Sequence, residues 1–260
     1  MTESLAGLTI DDRIATVTLN RPEALNAISS AMAAQLTSTF QEVAANRDVW
    51  VVIVAAAGEK AFCVGADLKE RDGFTLEQFY ENRKQIRGLF AALREMPQPV
   101  VASIFGFALG GGCEIALSCD IVVAAQGTQL GLPETRVGLL PAGGGTQLLT
   151  RKVGTSRAKD LIFRGKRIDA AFAQQLGLVA EVCEQEELQS FTLEVAQDIC
   201  KSSPVAVAAA KRSIDGAIGL SIDEGIELEN EMWKTVIASN DRQEGIAAFN
   251  TKRPPDWTNT

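Results

Sequence analysis

Ala108–Asp120, reading ALGGGCEIALSCD, passes from bare backbone to a single carboxylate and then to an apolar run. Gly110, Gly111 and Gly112 strip one short piece of chain of every side chain, so it can take unusual backbone angles and admit another group close to its N–H bonds. Cys113–Ser118 are good enough helix formers to begin a helix there. The start of a helix offers unpaired N–H groups and a partial positive charge, which suits a developing anion. Glu114 falls in the first turn, beside the same spot. Two readings are open on this stretch alone. One is half an oxyanion hole with a carboxylate next to it. The other is a glycine-rich turn that lets a helix pack tightly, with Glu114 as a partner of the helix dipole.

Outward from this stretch the chain alternates strand and helix. Upstream, Leu8–Asn20 alternates apolar and polar residues around Asp11-Asp12 and predicts a hairpin. Ser29 or Ser30 caps a helix to about Ala45, and Val49–Ala55 is a strand apolar on both faces. Gly58–Ala66 is expected to be loop. Thr75 and Gln78 have capping-box spacing for a helix to about Glu95, stopped by Pro97 and Pro99. Val100–Ile104 is a second buried strand, Ile121–Ala125 a third and Gln129–Leu132 a short fourth. Pro133–Gln147 is irregular and glycine-rich, and short helices follow over Ser156–Gly165 and Asp169–Gly177. From Glu186 onward only helices are expected: one behind Ser203-Pro204, one opened by Ser221, one by Asp241. The fold class is α/β, built from repeated strand–strand–helix units over 1–185, with a helical C-terminal module over 186–260.

Composition excludes much of the usual chemistry. The 260 residues can bury a substantial core, and 46% hydrophobic with 22% charged residues is ordinary for a globular protein. A net charge of −8 argues against a broad nucleic-acid or acidic-membrane surface, though a local basic pocket for a phosphorylated ligand remains compatible with it. No basic segment followed by an apolar one opens the sequence, which argues against a secretory signal. The most apolar stretch, Val100–Cys113, is too short for a membrane span of ~20 residues. Five cysteines without a CxxC pair read as reduced thiols, and a cytoplasmic location is expected. There is no histidine, so Ser-His-Asp and Cys-His catalysis and HExxH zinc sites are all removed. Acid–base work near neutral pH falls to carboxylates, Lys, Cys or Tyr80.

Gly143-Gly144-Gly145-Thr146 lacks the lysine of a phosphate-binding P-loop, no GxGxxG follows a strand, and no cluster has metal-ligand spacing. Four pieces remain: Gly65-Ala66-Asp67, Gly110–Gly112, Glu114 and Glu134. Loops leaving the carboxyl ends of neighbouring strands converge on one site in α/β sheets. Two of them, each offering one N–H, could hold one oxyanion. Two carboxylates in an apolar pocket could hold a water and divide acid and base roles.

AFCVGADLKE (61–70), ALGGGCEIALSCDI (108–121) and LPETRVGLLPAGGGTQ (132–147) together resemble the signature regions of the enoyl-CoA hydratase/isomerase, or crotonase, superfamily, and the likeness runs on to AFNTKRPP (248–255). GADLKER also looks like the methylglutaconyl-CoA hydratase branch, some members of which are described as RNA-binding. The resemblance implies a crotonase-like spiral of ββα units followed by a helical trimerisation region, as a homotrimer or a dimer of trimers. It implies an acyl-CoA thioester substrate and no separate cofactor, since CoA is carried by the substrate. Matched motif to motif, the two backbone donors to the enolate oxygen are Ala66 and Gly111, with Gly110 beside them.

Hydratases resemble this sequence in carrying both glutamates. Glu114 is then the general base toward water and Glu134 the general acid toward Cα. Ala66, Asp67, Leu68 and Lys69 match the stretch lining the adenine pocket of relatives, mostly through backbone atoms. Lys252 matches a lysine that in relatives reaches a neighbouring subunit's CoA phosphates, and it also reads as a solvated terminal lysine. Arg71, Arg83 and Arg87 are further candidates that equally read as a wet helix face. Two positions depart from the pattern. Ala142 replaces a glycine common in relatives, and Val64 lies next to the acyl pocket or behind it. The rivals to a 2-enoyl-CoA hydratase are a Δ3,Δ2-enoyl-CoA isomerase on the same scaffold and a non-catalytic acyl-CoA- or RNA-binding protein.

Overall fold

Cap and turn residues set the first elements where the sequence places them. A computed structural model describes residues 4–260, so residues 1–3 of the expected 1–185 unit lie outside the described part. Asp12, at φ 50°, turns β1 (Ala6–Asp11) into antiparallel β2 (Ile14–Leu19). The Ser29 hydroxyl accepts from the Met32 N–H and opens α1 (Ser30–Ala45). β3 (Val51–Ala56) and β4 (Ala61–Cys63) follow, then α2 (Leu68–Arg71) and α3 (Leu76–Arg94), the latter opened by the Thr75–Gln78 capping box. Next come β5 (Val100–Ile104), β6 (Phe107–Leu109), α4 (Gly111–Ser118), β7 (Ile121–Ala125) and β8 (Gln129–Gly131). A 3-10 turn over Glu134–Val137 leads to α5 (Gly145–Val153), α6 (Thr155–Phe163), β9 (Arg167–Asp169), α7 (Ala170–Gln175) and β10 (Glu181–Cys183). The chain closes with α8 (Leu188–Cys200), α9 (Pro204–Gly216), α10 (Ile222–Ile237) and α11 (Asn240–Thr251).

The strands divide between two sheets, ordered β1-β2-β3-β5-β7-β10 and β4-β6-β8-β9. Three strands of the first are each followed by a short strand of the second and then by helix: β3-β4, β5-β6 and β7-β8. Successive units pair in parallel in both sheets, so the ββα unit repeats along a spiral. The first sheet is covered on both faces, as its continuous apolar strands require. Val52, Val54, Val100 and Ala102 pack toward α1, α3 and α4, while Val51, Ile53 and Val101 face Leu188 and Ala196 of α8. Helix α8 is therefore committed to the sheet. The helices after it keep large apolar residues outside, among them Ile222 at 81% and Phe249 at 84% exposure.

The expected loop over Gly58–Ala66 contains β4, which is what aligns the second sheet beside the first. The irregular region expected over Pro133–Gln147 already includes the 3-10 turn and the start of α5. No helix among the described residues is long and apolar enough to cross a membrane.

Candidate active site

The short strands β4, β6 and β8 end at one place, and the loops leaving them wall a cavity of about 690 Å3. Ala66 and Gly111 line it from adjacent loops. Ile28 N–H donates to Gly65 O at 2.8 Å and Asp67 N–H to Ile28 O at 3.0 Å, which fixes the two peptides around Ala66. The N–H of Ala66 and that of Gly111, in the first turn of α4, donate to no acceptor among the described residues. Glycine is required here for two reasons. Gly65 sits at φ +97°, and a Cβ on it would stand 3.0 Å from the Gly111 nitrogen. At Gly112 a Cβ would run into the carbonyl of Cys63, so the start of α4 lies tight against β4.

Glu114 is 3% exposed, yet it is anchored. Its Oε1 accepts from the N–H groups of Gly143 at 2.7 Å and Gly145 at 2.8 Å, from the loop that opens α5. Burial pushes its carboxyl up, while those two N–H groups and the positive charge of Arg83 pull it back toward ionisation. Glu134 opens the 3-10 turn across the cavity. It has the opposite surroundings: Oε2 is buried without a hydrogen-bond partner. Burial, and then the charge of Glu114, push its carboxyl up to about 7. Both carboxyls are raised by burial, Glu114 against the pull of the glycine N–H groups and Glu134 against that of its own backbone N–H. Two carboxyls so placed separate their protonation states.

The cavity's remaining wall is largely apolar, with Phe79, Ile86, Phe90 and Leu140. Val64 lies in this wall rather than behind it, as does Ala142. The thiols of Cys63 and Cys113 are pushed up to about 12 by burial, too high for a thiolate near neutral pH.

Of the residues singled out in the sequence, Ala66, Leu68, Gly110, Gly111, Glu114 and Glu134 meet in this one cavity. Asp67 turns away from it. Its carboxylate caps α2 through the Lys69 and Glu70 N–H groups and pairs with Arg21. Lys69 is exposed outside the lining, and Lys252 ends α11 in the left-handed region, also outside it. Sequence reasoning did not pick out the Gly143 and Gly145 N–H groups that hold Glu114. The signal was the glycine run itself, read there as a failed P-loop and as part of a family signature, with no role given to its N–H groups. Arg71 and Arg83 do reach the cavity, and Arg83 Nη1 is buried with no hydrogen-bond partner.

Comparison with known proteins gives the family. The family model described as enoyl-CoA hydratase/isomerase matches residues 9–260, and the chain belongs to that family. It is 40% identical to the enoyl-CoA hydratase domain-containing protein 2, mitochondrial, of Bos taurus, over 93% of this chain and 83% of that one. It is 35% identical to the mitochondrial enoyl-CoA hydratase of Pongo abelii, over 95% and 84%. The crystal structure of an enoyl-CoA hydratase from Bacillus anthracis superposes with a TM-score of 0.96 at 38% identity, covering 98% of this chain and 100% of that one. The fold is the crotonase fold of these enzymes.

Proposed function

We propose that this chain is a 2-enoyl-CoA hydratase, adding water across the 2,3 double bond of an enoyl thioester to give the 3-hydroxyacyl-CoA. The observation that carries the reading is the pair of unlike carboxyls, Glu114 and Glu134, in a cavity with two unused backbone donors. In this reading the thioester oxygen accepts from Ala66 N–H and Gly111 N–H. Each such donor is worth ~2.7–4 kcal/mol as charge develops on the oxygen. Glu114 keeps Oε1 on the glycine N–H groups and uses Oε2 to take a proton from water as its oxygen bonds C3. The π electrons move to the thioester oxygen, and Glu134 returns a proton to C2 as the enolate collapses. Glu114 ends protonated and Glu134 ionised, and exchange with solvent resets them.

The CoA portion lies along the Ala66–Lys69 backbone, with Leu68 against it. A helix start and a cap already order that segment. We place Lys252 at a neighbouring chain's CoA phosphates in a homotrimer or dimer of trimers. Supporting this assembly, α10 and α11 leave Ile222, Ile226, Trp233 and Phe249 exposed.

The test is the loss of enoyl-thioester absorbance with crotonyl-CoA. Wild type is expected to turn over, with Glu114→Gln and Glu134→Gln each reduced by about 10²–10⁴-fold while folded. A wild type that binds CoA thioesters and leaves crotonyl-CoA unchanged overturns the hydratase reading.

A further inference from the structure

Helix α3 carries Arg83, Ile86, Arg87 and Phe90 at spacings of three and four, so these residues share one side of the helix. Arg83, Ile86 and Phe90 line the cavity that holds Glu114. The Phe90 ring abuts the α-carbon of Gly143, where a Cβ would also come within 2.7 Å of Glu114 Oε2. That crowding brings this side of α3 against the unanchored oxygen of Glu114. Arg83 enters the same space with Nη1 buried and without a hydrogen-bond partner. A guanidinium nitrogen in that condition is costly unless a charge nearby offsets its desolvation.

We propose that Arg83 is a positioning residue for Glu114, its half-buried guanidinium serving as the counter-charge to this acid in the cavity that the two share with Glu134. The inference rests on the hydratase reading for its catalytic meaning, but not for its electrostatics.

Other cations line this cavity: Arg136, on the turn of Glu134, donates through Nε to the carbonyl of Arg164 at 2.9 Å, and the Arg167 guanidinium lies 5.7 Å from the centre of the Phe107 ring. The loop and α5 contribute only the uncharged N–H groups of Gly143, Gly144 and Gly145 to Glu114. From the 3-10 turn Glu134 faces it, and on its own helix Cys113 is the neighbouring titratable group. Arg87, on the next turn of α3, repels Arg83, and Glu114 is the anion that attracts it. Arg71 senses Arg83 but is turned to Asn82, whose Oδ1 accepts from its Nε at 3.0 Å. Arg94 is spent on the carbonyl of Gly143 at 3.1 Å. Arg83 makes no hydrogen bond or close ion pair with Glu114, and among the described residues its positive charge in the shared cavity is the one that lowers the Glu114 carboxyl.

The experiment compares wild type with Arg83→Gln and Arg83→Lys. Carboxyl protonation is followed by infrared titration on 13C-glutamate-labelled protein, with the signal of position 114 assigned by subtracting Glu114→Gln. In Arg83→Gln the midpoint of Glu114 is expected to rise by about one pH unit or more, and in Arg83→Lys to return most of the way. The acid limb of kcat/KM for crotonyl-CoA should move by the same amount, with KM nearly unchanged. An unmoved midpoint in Arg83→Gln overturns the proposal, as does a change confined to KM. Because the infrared midpoint needs no turnover, inactivity of the wild type toward crotonyl-CoA would defeat the hydratase reading and leave this result standing by itself.

Discussion

Gly143 has space for a hydrogen and nothing larger. A methyl there meets the Phe90 ring and lies 2.7 Å from Glu114 Oε2, so the glycine N–H cannot hold Oε1 without displacing the acid. Gly143→Ala is expected to lower kcat for crotonyl-CoA by about 10²-fold or more, the scale of a lost preorganised contact. Steady-state kinetics checks it, with circular dichroism to show that the fold persists. Glu134 leads to a different expectation. Burial and then the Glu114 charge raise its carboxyl from 4.5 to about 7. Between those values the folded chain keeps a proton that the unfolded chain has released. Its contribution is least unfavourable below the lower value and worsens until pH reaches the upper one. The melting temperature of Glu134→Gln should therefore gain on wild type between about pH 5 and pH 8, as read in paired thermal melts. A melting temperature of Glu134→Gln minus that of wild type that stays constant or falls over this range contradicts the assignment. Glu114 and Glu134 were visible in the sequence as acids among apolar and glycine residues. Arg83 was not separable from a wet helix face, because a helix position alone does not say which charges it turns inward.

Among elements, α2 shows how a short segment can hold a backbone donor in place. Asp67 caps it, pairs with Arg21, and follows Ala66 directly. Burial opposes its ionisation, and the Arg21 guanidinium with the Glu70 and Lys69 N–H groups outweighs that, holding the carboxyl below its usual value. Asp67→Ala should cost about 1–2 kcal/mol from the cap alone, more with Arg21 left unpaired. It should also slow kcat by loosening Ala66. Urea denaturation and steady-state kinetics read the two effects separately. Caps of this kind were legible: Ser29, Thr75, Ser203 and Ser221 begin their helices where their spacing indicates. The three-residue strands β4, β6, β9 and β10 fall largely outside the sequence reading. Three residues are too few to display alternation, and their partners lie far along the chain. The spiral therefore entered the sequence reading through resemblance, while the long strands and helices entered through their own pattern.

For the whole molecule, the unresolved accounting is at the carboxyl-terminal helices. Trp233 at 58% and Phe249 at 84% exposure, with Ile222 and Ile226, are the apolar side chains that the proposed assembly would cover. Sedimentation velocity at micromolar concentration should show three or six chains together, and Trp233→Glu with Phe249→Glu should shift the boundary toward one chain. A wild type that sediments as a single chain contradicts the assembly. Helix α8 turns Leu188 and Ala196 against the sheet and leaves Leu193 as its one exposed large apolar residue. A cut at residue 186 would strip one face of the sheet as well as the outer helices.

The bond from Glu114 to two glycine N–H groups has a consequence for how this scaffold can change over evolutionary time. The acid is a tie between α4 and the opening of α5 as well as a participant in the proposed chemistry. Replacing it by a small apolar residue would orphan two buried donors, at ~1–3 kcal/mol each. A descendant that abandons hydration by losing this carboxyl must therefore remodel the Ala142–Thr146 loop in the same step, or first acquire a neutral side chain that still accepts both N–H groups.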